Sequence, residues 1–371
     1  MVTLWRDVGD GLAQGYTLPA SWYSHEGIFR LEQERIFQRF WQYVGRTDQV
    51  AQPGDYFACH AGAVPVAVVR DRGGMLRAFV NVCRHRAHEV VQGEGNRATL
   101  QCPYHAWTYG LDGLLRNAPR ADREPGFDRA ELSLLPALVD TWGPFVFVNL
   151  DTEAQPLREV LGDLPDLVAR GGVDLDALRF RERASSELAA NWKVVVENFL
   201  ECYHCAVAHP SFSSVVDVDP DAYRLETQGL VSSQFGPVRQ RAGENGKSLP
   251  YDPRGEAEEG QFHFLFPSFA LNIMPGRANV SVGPVVPIGG ERTGRFLDYF
   301  FGEDVEDGWI DDVMAFDAQV GLEDRGLIES VQRGLRTQMV ERGRLMPESE
   351  KLIAHFQSLV HEALAVDAER V

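Results

Sequence analysis

The sequence predicts an α+β fold in which a small all-β domain is followed by an antiparallel sheet covered by helices. Short β-rich runs separated by Gly, Pro and Asp fill residues 40–155, whereas longer strand patterns and two helical patterns fill residues 156–371. An antiparallel sheet with helices on one face buries the apolar sides of both elements. A helical segment, residues 1–39, precedes these domains and is expected to pack on the second one.

The first part of the chain begins with a helical pattern and then becomes strand-like. Apolar residues at helical spacing between residues 28 and 40 predict an amphipathic helix. Runs rich in β-branched and aromatic residues predict strands at Val64–Arg70, Leu76–Val82 and Phe145–Leu150. Pro156 then stands near the first turn of a helix that links the two domains.

The second part alternates between long strands and helices. A strand pattern leads into a helix that begins at about Asn191. Three longer strand patterns follow, at residues 261–273, 277–287 and 293–301. Apolar residues spaced mostly by three and four predict one long helix from Asp307 and another after Pro347.

The charge balance excludes several classes of partner. The 371 residues include 36 Lys and Arg against 54 Asp and Glu, a formal net charge of −18. An acidic chain repels phosphate backbones and anionic lipids, so we expect no nucleic acid and no membrane as a partner. No apolar run is long enough to span a bilayer, and the N-terminus lacks the features of a signal peptide. We therefore expect a cytoplasmic protein.

Two matched pairs of cysteine and histidine form the strongest chemical signal in the first domain. Cys83 and His85 flank one residue, and Cys102 and His105 follow with two residues between them. Two thiolates and two imidazoles could hold either zinc or a two-iron cluster. Zinc fingers place both cysteines in one half of the motif, whereas each half here has one cysteine and one histidine. This pattern favours a [2Fe–2S] cluster with two thiolates on one iron and two imidazoles on the other.

A second group of candidate ligands lies within residues 191–210. A helix over Trp192–His204 would place Glu197, Glu201 and His204 on one face. His209 follows five residues later, just before a proline, where that helix should have ended. Two imidazoles and one carboxylate form the facial triad of non-haem Fe(II) oxygenases, which leaves open positions for O2 and substrate.

Two cysteines beside His204 leave an alternative open. Cys202 and Cys205 have the spacing of a Cys-x-x-Cys pair, which could be redox-active or bind zinc. A redox pair of this kind stands at a helix N-terminus in a βαβ setting, whereas these two cysteines lie late in a predicted helix. We therefore interpret both as small packing residues.

The two Cys/His pairs and the downstream segment ENFLECYHCAVAHP, in this order, resemble the catalytic α subunits of Rieske non-haem iron oxygenases. The resemblance runs over most of the chain. It implies a Rieske domain over residues 40–155 and a catalytic domain of the helix-grip type, with mononuclear Fe(II), over residues 156–371. It also implies that the [2Fe–2S] cluster is held by Cys83, His85, Cys102 and His105.

The same resemblance implies roles for the downstream residues. His204 and His209 become iron ligands, together with an Asp on the late helix, where Asp324 fits. The adjacent Glu323 is the rival, because only one of two neighbouring carboxylates can face the core. The carboxylate three residues before the first histidine links the iron site to a Rieske histidine of the neighbouring subunit. That position is Glu201 here, whereas most of the family has Asp.

The segment is most similar to the branch that contains glycine betaine, stachydrine and carnitine oxygenases. This similarity implies O2-dependent hydroxylation or oxidative N-demethylation of a small quaternary ammonium compound. The alternative within the family is an aromatic-ring-hydroxylating monooxygenase or dioxygenase. The alternative outside it is a Rieske electron carrier or zinc-binding protein without oxygenase activity.

The expected partners also follow from the resemblance. The sequence contains no flavin fingerprint and no further four-cysteine set. A separate NAD(P)H-dependent reductase or ferredoxin is therefore expected to supply the electrons. Electron transfer from one subunit to the next implies a closed ring, most simply a homotrimer.

Aromatic side chains of the second domain are candidates for the wall of a substrate pocket. Ring faces attract cations, and alternate residues of one strand face the same side of a sheet. An Arg or Lys that points at the iron would instead favour an aromatic acid. The candidate pocket residues are Tyr203, Phe262, Phe264, Phe266 and Trp309.

Overall fold

A computed structural model of the chain describes residues 5–239, 251 and 255–365. The outer ends of the predicted segments 1–39 and 156–371 lie outside these residues. The chain divides into two compact units. Residues 37–158 form one unit, which we call the β unit. Residues 1–36 and 159–371 form the other, which we call the mixed unit.

The β unit contains two antiparallel sheets. The larger sheet has the strand order β1-β10-β9-β4-β3-β2-β5, and the smaller one has the order β6-β7-β8. The strands are β1 (Gln42–Arg46), β2 (Asp55–Ala61), β3 (Val64–Arg70), β4 (Leu76–Val80), β5 (Glu94–Asn96), β6 (Leu100–Gln101), β7 (Thr108–Tyr109), β8 (Leu115–Asn117), β9 (Pro136–Trp142) and β10 (Phe145–Asn149).

Strand β3 separates two apolar cores of this unit. Val66 and Val68 pack into one core, whereas Ala67 and Val69 pack into the other, which also contains Cys83. All four strand residues are fully buried. The unbroken apolar run of β3 therefore reflects a strand that is covered on both faces.

The second seven-stranded antiparallel sheet has the order β11-β17-β16-β15-β14-β13-β12. Its strands are β11 (Leu178–Leu188), β12 (Arg224–Gln228), β13 (Val231–Pro237), β14 (Glu259–Leu265), β15 (Phe269–Ile273), β16 (Asn279–Gly289) and β17 (Arg292–Gly302). The α-helices of the described residues are α1 (Trp5–Ala13), α2 (Glu26–Glu32), α3 (Leu157–Leu161), α4 (Leu164–Arg170), α5 (Trp192–Phe199), α6 (Cys205–Ala208), α7 (Pro210–Val215), α8 (Asp307–Arg336) and α9 (Lys351–Ala365).

Helices α5, α8 and α9 cover the sheet of the mixed unit. Phe356 of α9 contacts Trp192 of α5 and Phe264 of β14, with ring centroids 5.5 and 5.9 Å apart. Tyr299 of β17 donates a hydrogen bond from its hydroxyl to Asp317 of α8. The predicted α+β class, with an all-β unit and a helix-covered antiparallel sheet, is confirmed. Among the helices of the described residues, none combines the length and apolar content that a membrane crossing requires.

Helix α5 is anchored by buried polar contacts. Its N-cap Asn191 accepts a hydrogen bond from the backbone N–H of Lys193 at 3.0 Å. The ammonium group of Lys193 pairs with the carboxylate of Glu32 on α2, and both side chains are fully buried. Trp192 donates to the same carboxylate at 2.8 Å. These contacts fix the helix that leads into the functional site.

The predicted helix over Trp192–His204 is too long. Helix α5 ends at Phe199, and a turn follows before α6 begins at Cys205. The turn allows the carboxylate of Glu201 to accept a hydrogen bond from the backbone N–H of His204 at 3.1 Å. Because this contact replaces helical pairing, Glu201 and His204 are neighbours across a turn and not along one helix face.

Candidate functional site

The four Cys/His side chains of the β unit lie on two loops with matching backbone geometry. The backbone N–H of Ala87 donates to the carbonyl of Cys83 at 3.0 Å, and the N–H of Ala106 donates to that of Cys102 at 3.0 Å. Both alanines have positive φ angles, 56° and 58°. Left-handed backbone is uncommon for alanine, so each loop is held by its surroundings in a specific tight turn.

These loops turn their cysteines inward and their histidines outward. Cys83 and Cys102 are buried, whereas His85 and His105 are exposed and their ring centroids lie 4.5 Å apart. The indole of Trp107 stacks on His85, with the centroids 4.9 Å apart. The arrangement suits a cluster with one iron held inside by thiolates and the other near solvent on imidazoles.

The spread of these side chains argues against a single zinc ion. Among the described residues, only His204, His209 and Asp324 bring three ligand atoms within 4.8 Å of one another. A tetrahedral zinc site would require such closeness of all four Cys and His atoms. The wider spacing in the β unit fits a group that contains two metals.

His204, His209 and Asp324 form a compact triangle of ligand atoms in the mixed unit. The Nε2 atoms of the two histidines are 3.0 Å apart, and Asp324 Oδ1 lies 3.0 Å from Nε2 of His209 and 3.5 Å from Nε2 of His204. Three ligands at right angles, each about 2.1 Å from a metal, would be about 3.0 Å apart. The triangle therefore matches one face of an octahedral metal site.

Two glutamates orient the imidazoles of this triangle. The Nδ1–H of His204 donates to Glu201, and the Nδ1–H of His209 donates to Glu323 at 2.7 Å. A carboxylate on Nδ1 fixes the tautomer, which leaves Nε2 free to bind metal. The adjacent carboxylates on α8 are thus divided between two positions: Asp324 lies in the triangle, and Glu323 lies behind His209.

Helix α5 contributes further to the site. The side-chain amide of Asn198 donates to Asp324 Oδ1 at 3.1 Å. Glu197, which the predicted helix placed on the same face as Glu201, instead accepts hydrogen bonds from the Tyr23 hydroxyl at 2.6 Å and the Gln357 amide at 2.9 Å. Burial raises the pKa of Glu197 to about 7. Glu197 is therefore part of the core behind the site.

The electrostatics of the triangle favour a cation. Burial alone would lower the pKa of His204, but the carboxylates of Asp324 and Glu201 outweigh it and raise that pKa to about 9. Burial alone would raise the pKa of Asp324, but hydrogen bonds from His204 and His209 hold that pKa well below its ordinary value. Without a metal, protons on the imidazoles offset the negative charge, and a divalent metal would replace them.

The interpretation of Cys202 and Cys205 as separate packing residues is wrong. The two cysteines are joined by a disulfide bond and are buried on either side of His204 in sequence. The two Cα atoms lie 4.9 Å apart, which is within the range that a disulfide bond requires.

A cavity of about 120 Å³ lies beside the triangle, with His204, His209 and Asp324 in its wall. Pockets for drug-sized ligands are typically about 300–1,000 Å³, so this cavity suits a small substrate. Three aromatic rings, Phe212, Phe262 and Phe316, form an apolar wall. Arg295, Tyr299 and Asp317 form a polar group in the same cavity.

Two of the five predicted pocket residues line the cavity, namely Phe262 and Phe264 on β14. The other three do not line it. Tyr203 lies on the turn after α5 and is 61% exposed. Phe266 follows the end of β14, where the alternation stops, and packs on Phe356. Trp309 lies in the first turn of α8 and contacts Phe301, with ring centroids 6.2 Å apart.

Sequence reasoning missed the α8 contribution to the cavity. Phe316, Asp317 and Gly321 line it together with Asp324, and Asp317 lies seven residues before that candidate ligand. Residues separated by four and seven positions share a helix face. Helical spacing from Asp324 would therefore have found Asp317. Arg295 and Phe212 carried no comparable signal, because only the tertiary fold brings them to the site.

Comparison with protein families matches both parts of the chain. Residues 40–138 match the Rieske [2Fe-2S] domain. Residues 175–366 match the catalytic domain of the ring-hydroxylating α subunit.

Curated relatives align over almost the whole chain. The carnitine monooxygenase oxygenase subunit of Acinetobacter pittii is 34% identical over 93% of this chain and 94% of its own length. The chloroplastic choline monooxygenase of Beta vulgaris is 35% identical over 94% of this chain and 77% of its own length.

Solved structures share the fold. The quaternary ammonium Rieske monooxygenase CntA, in complex with L-carnitine, has a TM-score of 0.80 and 32% identity, covering 94% of this chain and 95% of that one. Naphthalene 1,2-dioxygenase from Rhodococcus has a TM-score of 0.81 at 19% identity, covering 98% of each chain, which shows the fold alone. The chain therefore belongs to the α subunits of the Rieske non-haem iron oxygenases, oxidoreductases that carry a [2Fe–2S] cluster and a mononuclear iron.

Proposed function

We propose that this protein is the terminal oxygenase of a system that oxidises a small trimethylammonium compound at a carbon bound to nitrogen. The observation that carries the proposal is the wall of aromatic rings in a small cavity beside the His204, His209 and Asp324 triangle. The relatives named for carnitine and choline oxidation support the same substrate class.

The aromatic wall provides the chemistry for a quaternary ammonium group. The ring centroid of Phe212 lies 5.6 Å from that of Phe262 and 6.5 Å from that of Phe316. A cation over such ring faces gains about 0.5–2 kcal/mol for each well-placed ring. A trimethylammonium group offers no hydrogen-bond donor, so apolar ring faces satisfy it without leaving a polar group unpaired.

The residue roles are part of the proposal. Cys83, His85, Cys102 and His105 hold the cluster. His204, His209 and Asp324 hold the mononuclear iron, and Asn198 and Glu323 orient these ligands. Glu201 links the iron site to a cluster histidine of the neighbouring subunit. The hydrogen bond between Glu201 and His204 supports this role, because it gives the carboxylate a direct contact with a candidate iron ligand.

The reaction balances with two electrons and two protons. One atom of O2 enters a C–H bond next to nitrogen, and the other leaves as water. The hydroxylated product is a hemiaminal, which separates into an amine and an aldehyde. The iron supplies the activation of O2 when it is bound. The protein side chains place the ammonium group against Phe262 and Phe316, exclude bulk water from the cavity and keep both imidazole Nδ1–H groups on carboxylates.

The partners follow from this reaction. A separate NAD(P)H-dependent reductase or ferredoxin delivers electrons to the cluster, where the exposed imidazoles of His85 and His105 give access. Homotrimers pass electrons from the cluster of one subunit to the iron of the next. The solved structure of a quaternary ammonium Rieske monooxygenase, reported with insights into inter-subunit electron transfer, supports this arrangement. We place the enzyme in the cytoplasm.

Oxidation of an aromatic compound is the alternative. Arg295 could bind the carboxylate of an aromatic acid, but the relatives named for carnitine and choline oxidation favour a trimethylammonium compound, and a neutral ring is less favoured still. The cavity contains the charged side chains of Arg295 and Asp317. A neutral ring would leave both groups desolvated without new partners, which is unfavourable. A zwitterionic or cationic substrate would interact with them.

Coupled O2 uptake and product analysis test the proposal. The purified oxygenase with a surrogate reductase is supplied with L-carnitine, choline, glycine betaine, benzoate or naphthalene. We expect O2 consumption matched by trimethylamine or formaldehyde with at least one trimethylammonium compound. Tight coupling with the aromatic substrates alone would refute the proposal.

A further inference from the structure

The cavity contains a cationic side chain that lacks a close counter-ion. Arg295 on β17 lines the cavity, and its guanidinium group makes no hydrogen bond or close ion pair with any residue that the structure describes. Neighbouring arginines of the same sheet are paired: Arg292 lies 2.7 Å from Glu187, and Arg183 lies 2.6 Å from Asp298. Arg295 therefore differs from its neighbours in having a guanidinium group available to a ligand.

Arg295 stands near a carboxylate that already has a partner. Alternation along β17 puts Arg295 and Tyr299 on the same face, and the Tyr299 hydroxyl donates to Asp317. The positive charge of Arg295 acts on both Tyr299 and Asp317 through space. Asp317 lies seven residues before Asp324 on α8, or about 10 Å along the helix axis. The cavity thus presents a positive and a negative group side by side, within reach of the iron site.

We propose that Arg295 binds an anionic group of the substrate, so that the enzyme prefers a trimethylammonium carboxylate over a simple trimethylammonium cation. The inference rests on the proposed function and adds the second charge of the substrate to it. A guanidinium matches a carboxylate with two parallel hydrogen bonds, a geometry that no other side chain provides.

The lining of the cavity supports the same assignment. A zwitterion can lie with its carboxylate at Arg295 and its ammonium group at the aromatic wall. A simple cation would offer the guanidinium of Arg295 no anionic partner in this half-buried site, which is unfavourable.

Sequence similarity does not decide between these substrates. The relative named for carnitine is 34% identical and the relative named for choline is 35% identical. L-carnitine has a carboxylate, whereas choline has a hydroxyl group in its place. Arg295 is the feature of this cavity that distinguishes them.

The test compares Arg295→Gln and Arg295→Lys with Arg292→Gln as the matched control on the same strand. Iron and sulfide content first establishes that each variant is loaded. Steady-state kinetics then give kcat/KM for L-carnitine, γ-butyrobetaine and choline, and calorimetry on the anaerobic holoenzyme gives their affinities. Loss of a charge-assisted hydrogen bond corresponds to about 10- to 100-fold in affinity.

We expect Arg295→Gln to lower the preference for carboxylated substrates over choline about 10- to 100-fold, chiefly through KM, with partial recovery in Arg295→Lys. Arg292→Gln should leave the preference unchanged. An equal loss for all three substrates, or a wild-type preference for choline, would overturn the inference. Carboxylate-selective binding that depends on Arg295 without any oxidation would support the inference and refute the proposed function instead.

Discussion

Removal of the carboxylate behind His209 should weaken iron binding without removing an iron ligand. Glu323 accepts a hydrogen bond from the Nδ1–H of His209 at 2.7 Å, and Gln319 donates to its other oxygen at 2.8 Å. His209 is only 2% exposed, so Glu323 and not solvent is the acceptor for its Nδ1–H in the wild-type protein. In Glu323→Ala the imidazole loses the group that sets its tautomer and orientation.

The expected loss of iron affinity follows from this single hydrogen bond. A hydrogen bond to a charged group contributes about 1.5–3 kcal/mol, and loss of the partner behind a metal-bound histidine costs about 10- to 100-fold in metal affinity. Since a tenfold change equals about 1.4 kcal/mol, these two ranges agree. Glu323 is 23% exposed, which places the expected loss toward the lower end. Glu323→Gln keeps an acceptor oxygen without the charge and should lose less than Glu323→Ala.

Anaerobic competition for Fe(II) with a coloured chelator measures the effect. Asp311→Asn is the matched control, because Asp311 is an exposed carboxylate on the same helix. The cluster absorbance provides an internal reference for folding, since its ligands lie in the other unit. If Glu323→Ala retained iron as tightly as the wild type and Asp311→Asn, the assignment of Glu323 to His209 would be refuted.

Three further predictions concern other parts of the site and its surroundings. Glu201→Gln should keep both iron centres loaded yet lose most steady-state product formation, and near wild-type turnover would place the bridge elsewhere. Phe316→Leu should raise KM for trimethylammonium substrates about 2- to 30-fold with a smaller change in kcat, and an unchanged KM would remove this ring from the binding wall. Burial raises the pKa of Glu197 from 4.5 to about 7, so the stability that this group contributes below pH 4.5 is lost as the pH rises to about 7. The unfolding free energy should therefore fall less between pH 5 and pH 8 in Glu197→Gln than in the wild type, by up to about 3 kcal/mol, as measured in denaturant titrations. An equal fall in both proteins would contradict this explanation.

In the β unit, the local sequence pattern was enough to predict a strand and to identify the candidate cluster ligands. The predicted strand Val64–Arg70 has the observed bounds of β3. The two Cys/His pairs lie on loops with matching backbone geometry. The pairs could be recognised in the sequence because the ligand types and their spacing are local properties. The family resemblance then supplied the cofactors and the order of the domains.

Prediction failed where tertiary contacts override local spacing. The apolar periodicity that begins at Trp192 continues past Phe199, but α5 ends there, and the backbone N–H of His204 donates to the side chain of Glu201 instead of to a helical carbonyl. The aromatic candidates were chosen by residue type, which cannot distinguish a cavity wall from a core. Strand β14 ends before Phe266, so that ring packs on α9 instead of facing the cavity.

A single-turnover reaction tests the central claim most directly, that one protein couples its Rieske cluster to oxygenation of a trimethylammonium compound at the mononuclear iron. The holoenzyme is reduced chemically, freed of reductant and mixed with O2 and L-carnitine in the absence of any reductase. We predict trimethylamine or formaldehyde in amounts that approach the mononuclear iron content, together with loss of the paramagnetic signal of the reduced cluster. Oxidation of the cluster without product, with L-carnitine and the other trimethylammonium compounds alike, would contradict the claim.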